Sequence, residues 1–527
     1  MVTDSVRVSL RTMRAFNLLA LLLFWQSCAV NPVTGDRELG FVSAQQEIAI
    51  GQENYGPMQQ SEGGRFAVDP SLSAYVNEVG QRLVEVSDRD LPYEFVVLNN
   101  GVPNAWALPG GKIAINRGLL VEMDSEAELA AVLGHEIVHS AARHGAQSME
   151  RGMLLQGAMV ATSIAASDSQ YAGFIVGGAQ VGAQLISQRY GRDAERESDR
   201  YGTRYMALAG YDPAAAISLQ ETFLRLSEGR QQGWLDGLFA SHPPSAERVE
   251  NNRQLVSALR DEGFTGGERG VDRYREQTAF LRENRAAYEK LDESRQLAVN
   301  GELDQALQLI SEAVASVPGE ARFHGLRGDI LLARQQHGEA IQAYDEAIRH
   351  DDGYYDYYLG RGLAQSRRGD RSQARADLEA SVALLPTAIA MSELGSIAEQ
   401  AGDRQQARNY YQQAAQAPGE LGEAAMQAFV RLDMADNPGE HLAVQGGLDN
   451  AGQLVIQVSN RSPVNVEGVR IRVEAVLGSE RGARDLNVGR LNAGQQRTVG
   501  TGLTMPEGSD PSQLQVGTTI LRARVRQ

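Results

Sequence analysis

His135-Glu136-Ile137-Val138-His139 sets two imidazoles one helical turn apart with a carboxylate beside the first. In that arrangement two neutral nitrogens can grip a zinc ion while the carboxylate handles a proton. A catalytic zinc needs three protein ligands and an open position for water, so a third donor must come from elsewhere in the chain. In Tyr190-Gly-Arg-Asp-Ala-Glu-Arg-Glu-Ser-Asp-Arg-Tyr-Gly202, Glu195 and Asp199 stand four apart. On a helix, one of these carboxylates can bind metal while the other orients a ligand histidine. Metal held this way lowers the pKa of water toward neutrality and polarises a scissile carbonyl, and Glu136 takes the water's proton and later protonates the leaving amine. The developing oxyanion needs a further donor, and the segment Ser241-His-Pro-Pro-Ser-Ala-Glu-Arg248 offers His242 and Arg248.

These residues need a rigid frame. Ser125-x-x-Glu128 has the form of a capping box, and Leu129, Val132, Leu133 and Ile137 recur at helical spacing, which predicts a helix projecting both histidines from one face. Arg196 and Glu197 fall where a solvated helix face is expected. Residues 111–116 alternate Gly, Ile and Ile with Lys, Ala and Asn; that predicts an edge strand against which an extended substrate can lie. The apolar region 152–186 is split by Ser167-Asp-Ser-Gln170 into two pieces, each shorter than a membrane span. A buried helical hairpin under the active site is expected there.

HExxH followed by ExxxD resembles the HtpX/CaaX-protease-type gluzincin metallopeptidases, and within them the periplasmic BepA-like proteases that carry tetratricopeptide repeats. Residues 104–115, Asn-Ala-Trp-Ala-Leu-Pro-Gly-Gly-Lys-Ile-Ala-Ile, resemble that family's strand before the active-site helix, and Ser241-His-Pro243 resembles a later loop. The resemblance covers roughly residues 31–255. It implies one Zn2+ per chain held by His135, His139 and Glu195, with Glu136 as general base and Asp199 as a partner behind the ligands. The usual ExxAD form has Ala where this chain has the equally small Ser198. In BepA-like members the histidine matching His242 can bind the zinc and shut the site, so His242 has two candidate roles: inhibitory fourth ligand or oxyanion donor.

Arg7, Arg11 and Arg14 precede an apolar run from Leu18 to Trp25, the layout of an export signal over residues 1–27. Cys28, the single cysteine of 527 residues, follows directly and looks like a lipoprotein attachment site; Ala29 after it favours, by analogy, the outer membrane of a Gram-negative cell. With one cysteine no internal disulfide can form, so stability must come from buried area. A net charge of −17 argues against nucleic acid as a partner. The mature chain divides into a mainly α zincin peptidase domain with a small β-sheet (28–262), an α-solenoid of tetratricopeptide repeats (283–436) and a small all-β, sandwich-like domain (440–527).

The repeats show as a period. Ala306, Ala340, Ala374 and Ala407 are spaced 34, 34 and 33 apart, and Ile310, Tyr344, Leu378 and Tyr411 stand four residues after each, a pattern resembling the tetratricopeptide repeat. Tyr354, Tyr355, Tyr357 and Tyr358 can form either an aromatic contact patch or helix packing. From about Gly439 onward the period becomes two, with Leu454, Ile456 and Val458 answered by Val469, Ile471 and Val473. The function expected is an exported zinc metalloendopeptidase acting on misfolded or stalled envelope proteins, tethered to the outer membrane by lipid in the periplasm. Its repeats would dock clients or the outer-membrane assembly machinery. The alternative is an assembly chaperone or scaffold with a largely latent peptidase site.

Overall fold

A computed structural model describes residues 28–152, 190–229, 242–449, 451–477, 480–504 and 513–526. The expected signal segment, nearly all of the expected hairpin at 152–186, and Ser241 lie outside the described residues. No described helix is long and apolar enough to cross a membrane. The chain divides into two compact units, residues 1–361 and 362–527.

In the first unit, strands β1 (Cys28–Val30) and β2 (Arg37–Leu39) pair antiparallel. The turn between them is closed by Asn31, whose Oδ1 accepts from the Val33 and Thr34 amides, and by Gly35 at φ 79°. Helix α1 (Ala44–Ser61) opens on a capping box formed by Ser43 and Gln46. Helix α2 (Pro70–Val84) starts with proline in its first turn after the cap Asp69.

Strands β3 (Glu94–Leu98), β4 (Ala105–Leu108) and β5 (Lys112–Asn116) form a sheet in the order β3-β5-β4. This corrects the expectation for residues 111–116. The strand is central, parallel to β3 and antiparallel to β4, and all five of its residues are buried. The alternation misleads because Lys112 is buried with its charge satisfied: its ammonium donates to the Pro92 carbonyl and pairs with Glu94. An edge position falls to β4 instead.

Helix α3 (Glu126–Ala141) carries the HExxH motif and is buried over all 16 residues. Its cap differs slightly from the expected box: Ser125 accepts from the Glu128 amide, but the Glu128 carboxylate accepts from the Asp124 amide. Helices α4 (Arg192–Leu208), α5 (Ala215–Gly229) and α6 (Ala246–Asp261) complete the frame around α3.

The first repeat helices, Arg285–Val299, Leu303–Ser316 and Ala321–Ala333, grow out of the same core, and His337–His350 packs on the last of them. Phe66 packs on Phe280 and Tyr288, Tyr288 packs on Phe323, and Glu320 accepts from both Asn99 and Tyr288. Ala306, Ala340, Ala374 and Ala407 are fully buried, as close helix pairing within a repeat requires. Tyr354 and Tyr357 are buried packing residues, the former lying against Gly64.

The second unit holds the helices Arg371–Leu384, Ala388–Gln400, Arg404–Ala414 and Glu420–Asp433. Six strands follow: β6 (Leu442–Leu448), β7 (Gln453–Asn460), β8 (Val466–Leu477), β9 (Glu480–Leu491), β10 (Gln496–Thr504) and β11 (Leu514–Val525). They form two antiparallel sheets, ordered β10-β7-β6 and β11-β8-β9. Leu454, Ile456 and Val458 share one core with Val469, Ile471 and Val473, and Val430 of the helix Glu420–Asp433 and Met434 just after it join that core.

Candidate metal centre

His135 and His139, four apart on α3, direct their Nε2 atoms to within 3.1 Å of each other. Glu195 of α4 places Oε1 3.4 Å from His139 Nε2 and Oε2 3.5 Å from His135 Nε2. His242, just before α6, brings Nδ1 to 3.3 Å from His135 Nε2 and 2.8 Å from Glu195 Oε1. One donor atom from each of the four falls within 4.8 Å of the others, and all four residues are buried. Donors about 2.0–2.1 Å from a tetrahedral zinc stand about 3.3 Å apart, so these spacings fit one ion. Buried polar atoms are normally hydrogen-bonded, yet Glu195 Oε2 has only ion-pair contacts, at 3.3 Å or more, and Glu136 Oε2 has no hydrogen-bond partner. A cation among the four donors gives the first of them a role.

The cluster depends on how closely α3 and α4 approach. A Cβ on Gly134 would stand 2.9 Å from the Gly202 carbonyl oxygen, and one on Gly202 would stand 2.8 Å from the His135 amide nitrogen. The helices therefore touch backbone to backbone at the residue before the first ligand, which carries Glu195 and Asp199 up to the histidines. Asp199 Oδ1 accepts from His135 Nδ1 at 3.0 Å, leaving Nε2 for the cluster. Arg248 of α6 grips the same carboxylate with two bonds, Nε to Oδ2 at 2.8 Å and Nη2 to Oδ1 at 2.7 Å.

Residues 70–256 match the model of peptidase family M48, and residues 291–355 and 359–431 match the tetratricopeptide repeat. The chain carries an M48 peptidase domain followed by tetratricopeptide repeats. A beta-barrel assembly-enhancing protease of Yersinia pestis is 27% identical over 360 residues, spanning 62% of this chain and 72% of that protein. The mitochondrial metalloendopeptidase OMA1 of Schizosaccharomyces pombe is 33% identical over 224 residues, spanning 41% of this chain and 63% of that one. Among solved structures, a crystal structure of MamA protein shares 16% identity at a TM-score of 0.26, covering 28% of this chain and 81% of that chain. The protein is a metallopeptidase.

The electrostatics of the M48 domain follow from burial and charge. Burial opposes ionisation of Glu195 and Asp199, but His242 and His135 hold Glu195 well below the usual carboxylate range, and Arg248 and His135 bring Asp199 down to about 2. Burial also opposes charge on His135, yet Glu195 and Asp199 raise it to about 10. Burial drives His139 the other way, well below its ordinary value. Glu136 is pushed up by burial, against the pull of His242 and His135. Its Oε1 lies 3.6 Å from His242 Nε2.

All the site residues expected from sequence within the M48 domain come together. His242 stands at the fourth corner of the donor set, and Arg248 is committed to Asp199 and to Glu195 Oε2 at 3.3 Å. The Arg196–Glu197 pair divides. Arg196 lies on the surface with Glu247, whereas Glu197 turns inward, accepting from Asn31 at 3.0 Å and standing 3.5 Å from His144 Nε2. The solvated face expected for Glu197 is thus replaced by a tertiary contact 166 residues away in the chain. Sequence reasoning also passed over Tyr190, whose ring stacks on His139 with centroids 4.0 Å apart, and His144. The signal available for His144 was its position five residues past the second ligand.

Proposed function

We propose that this chain is an exported zinc-dependent metalloendopeptidase that hydrolyses peptide bonds of misfolded or stalled cell-envelope proteins, with His242 closing the site at rest. The observation that carries this reading is His242 Nδ1 at the fourth corner of a set already supplied by His135, His139 and Glu195. A catalytic zinc keeps that position for water, so a protein donor there fills the place where chemistry starts. Zinc held by the three ligands supplies Lewis-acid polarisation of the scissile carbonyl and acidifies water. Glu136 accepts the water's proton and delivers it to the leaving nitrogen; a carboxylate with a raised pKa is suited to both halves of that transfer. Asp199 and Arg248 hold His135 in the tautomer that leaves Nε2 free.

The basic and apolar pattern before Cys28 supports export, and Cys28 itself supports lipid attachment at the periplasmic face of the outer membrane. The Yersinia relative is named for enhancing β-barrel assembly, which favours β-barrel outer-membrane proteins as clients and the repeats as their docking surface, or that of their assembly machinery. A second reading draws on the same His242 contact: a repeat-based assembly scaffold whose peptidase site is rarely open.

The deciding experiment measures zinc content and casein hydrolysis of the purified mature chain beside Glu136→Gln and His242→Ala. Zinc at one per chain is expected in all three, with hydrolysis lost in Glu136→Gln and raised in His242→Ala. A drop in His242→Ala would overturn the closing role and leave the oxyanion role. Envelope assembly that proceeds normally with Glu136→Gln would move the main function to the scaffold.

A further inference from the structure

We propose that His144 and Glu197 are positioning residues for the metal ligand His139, and that Asn31 of the N-terminal hairpin locks them in place. This rests on the assignment of His139 as a ligand. The two ligand histidines are supported differently. His135 Nδ1 meets a carboxylate directly, that of Asp199, whereas His139 Nδ1 lies 2.9 Å from a second imidazole, at Nδ1 of His144.

The proton positions follow from neutral imidazole chemistry. A histidine that ligates through Nε2 carries its proton on Nδ1, so His139 donates and His144 Nδ1 accepts. With Nδ1 accepting, His144 has its donor at Nε2, the atom that stands 3.5 Å from Glu197 Oε1. That oxygen also accepts from Asn31 Nδ2 at 3.0 Å. His144 stands to His139 as an extension of the carboxylate–histidine–metal pattern, with one imidazole inserted between ligand and carboxylate.

Both ends of this chain of contacts are fixed. Asn31 is 1% exposed; its Nδ2 also donates to Glu38 Oε1, and its Oδ1 accepts two backbone amides. Arg143, between the ligand helix and His144, adopts φ 65°, a left-handed conformation unfavourable for a residue with a side chain. It is held there by Glu47 Oε1 at 2.7 Å and the Val42 carbonyl at 2.6 Å. That reversal returns His144 to face His139. The segment that starts at Cys28 thereby enters the hydrogen-bond network of the metal site, and secure metal binding requires the hairpin Cys28–Leu39 to be seated.

The test uses the full mature chain loaded with Co2+, reading its affinity by chelator competition and its visible absorption bands. His144→Ala is expected to weaken binding by about 10- to 100-fold and to shift the bands. His144→Asn keeps an acceptor near the former Nδ1 and is expected to restore most of the affinity. Equal affinities for the Ala and Asn variants, whether both normal or both weak, would overturn the proposal. Should His144→Ala fail to fold, Glu197→Ala against Glu197→Gln decides in the same way, since only Gln keeps an acceptor for His144. A wild-type chain that binds no Co2+ would refute the ligand assignment itself, which separates that failure from failure of the relay.

Discussion

Both the metal site and the repeats use glycine to bring helices together, but what each glycine faces is different. At the site Gly134 and Gly202 face backbone atoms of the opposite helix. In the repeats Gly328 and Gly360 face the ring of Tyr344, and Gly395 faces the ring of Tyr411. A ring can tilt or be exchanged, so a repeat has some play in its packing. Two backbones in contact have none, and at the site their separation fixes the distance from Glu195 to the histidines. The repeats need close packing of a tolerant kind; the metal centre needs a set distance.

Gly202→Ala strikes the backbone contact between the two site helices directly. Its Cβ must push α4 from α3, and a displacement of that order at a catalytic centre costs about 100-fold in turnover, with overpacking adding about 1–3 kcal/mol of instability. Casein hydrolysis in the His242→Ala background and zinc retention measure this; turnover within twofold of the parent would refute the fixed crossing. Gly328→Ala comes next. Tyr344 touches both Gly328 and Gly360, so its ring must tilt to admit the methyl and about 1–3 kcal/mol is lost in denaturant unfolding, while cleavage of a short unstructured peptide stays unchanged. Loss of that cleavage would show that the repeats and the site do not differ as described. Tyr344→Phe removes only the hydroxyl's bond to Asp329, 2.7 Å long, and should cost about 1 kcal/mol. Arg196→Ala removes an exposed pair with Glu247 and should leave both melting temperature and hydrolysis unchanged; the contrast with Glu197→Ala then separates the outer from the inner face of α4.

Much of the site was legible because its chemistry is local. His135, Glu136 and His139 lie in one pentapeptide, Glu195 and Asp199 in another, and the repeat period of about 34 declares itself through buried alanines. What stayed hidden depends on contacts between distant segments. Nothing near Gly134 announces that it meets Gly202, and Glu197 reads as a surface residue until Asn31 is folded against it. Lys112 misled for a related reason: a lysine in an alternating strand signals solvent, and only the neighbouring strand's Glu94 and the Pro92 carbonyl make its burial tolerable. The position of β5 at the centre of its sheet was lost with it.

The repeat helices do not begin or end on raw faces. Glu320 and Phe323 are bound into the peptidase core through Asn99 and Tyr288, and Val430 and Met434 are built into the β-domain core. A helical array normally frays from its ends inward, and isolated arrays need special polar caps to stay soluble. Here a whole domain serves as the cap at each of these ends, in the first unit the peptidase core and in the second the β-domain core, so neither offers a free terminus at which melting can start.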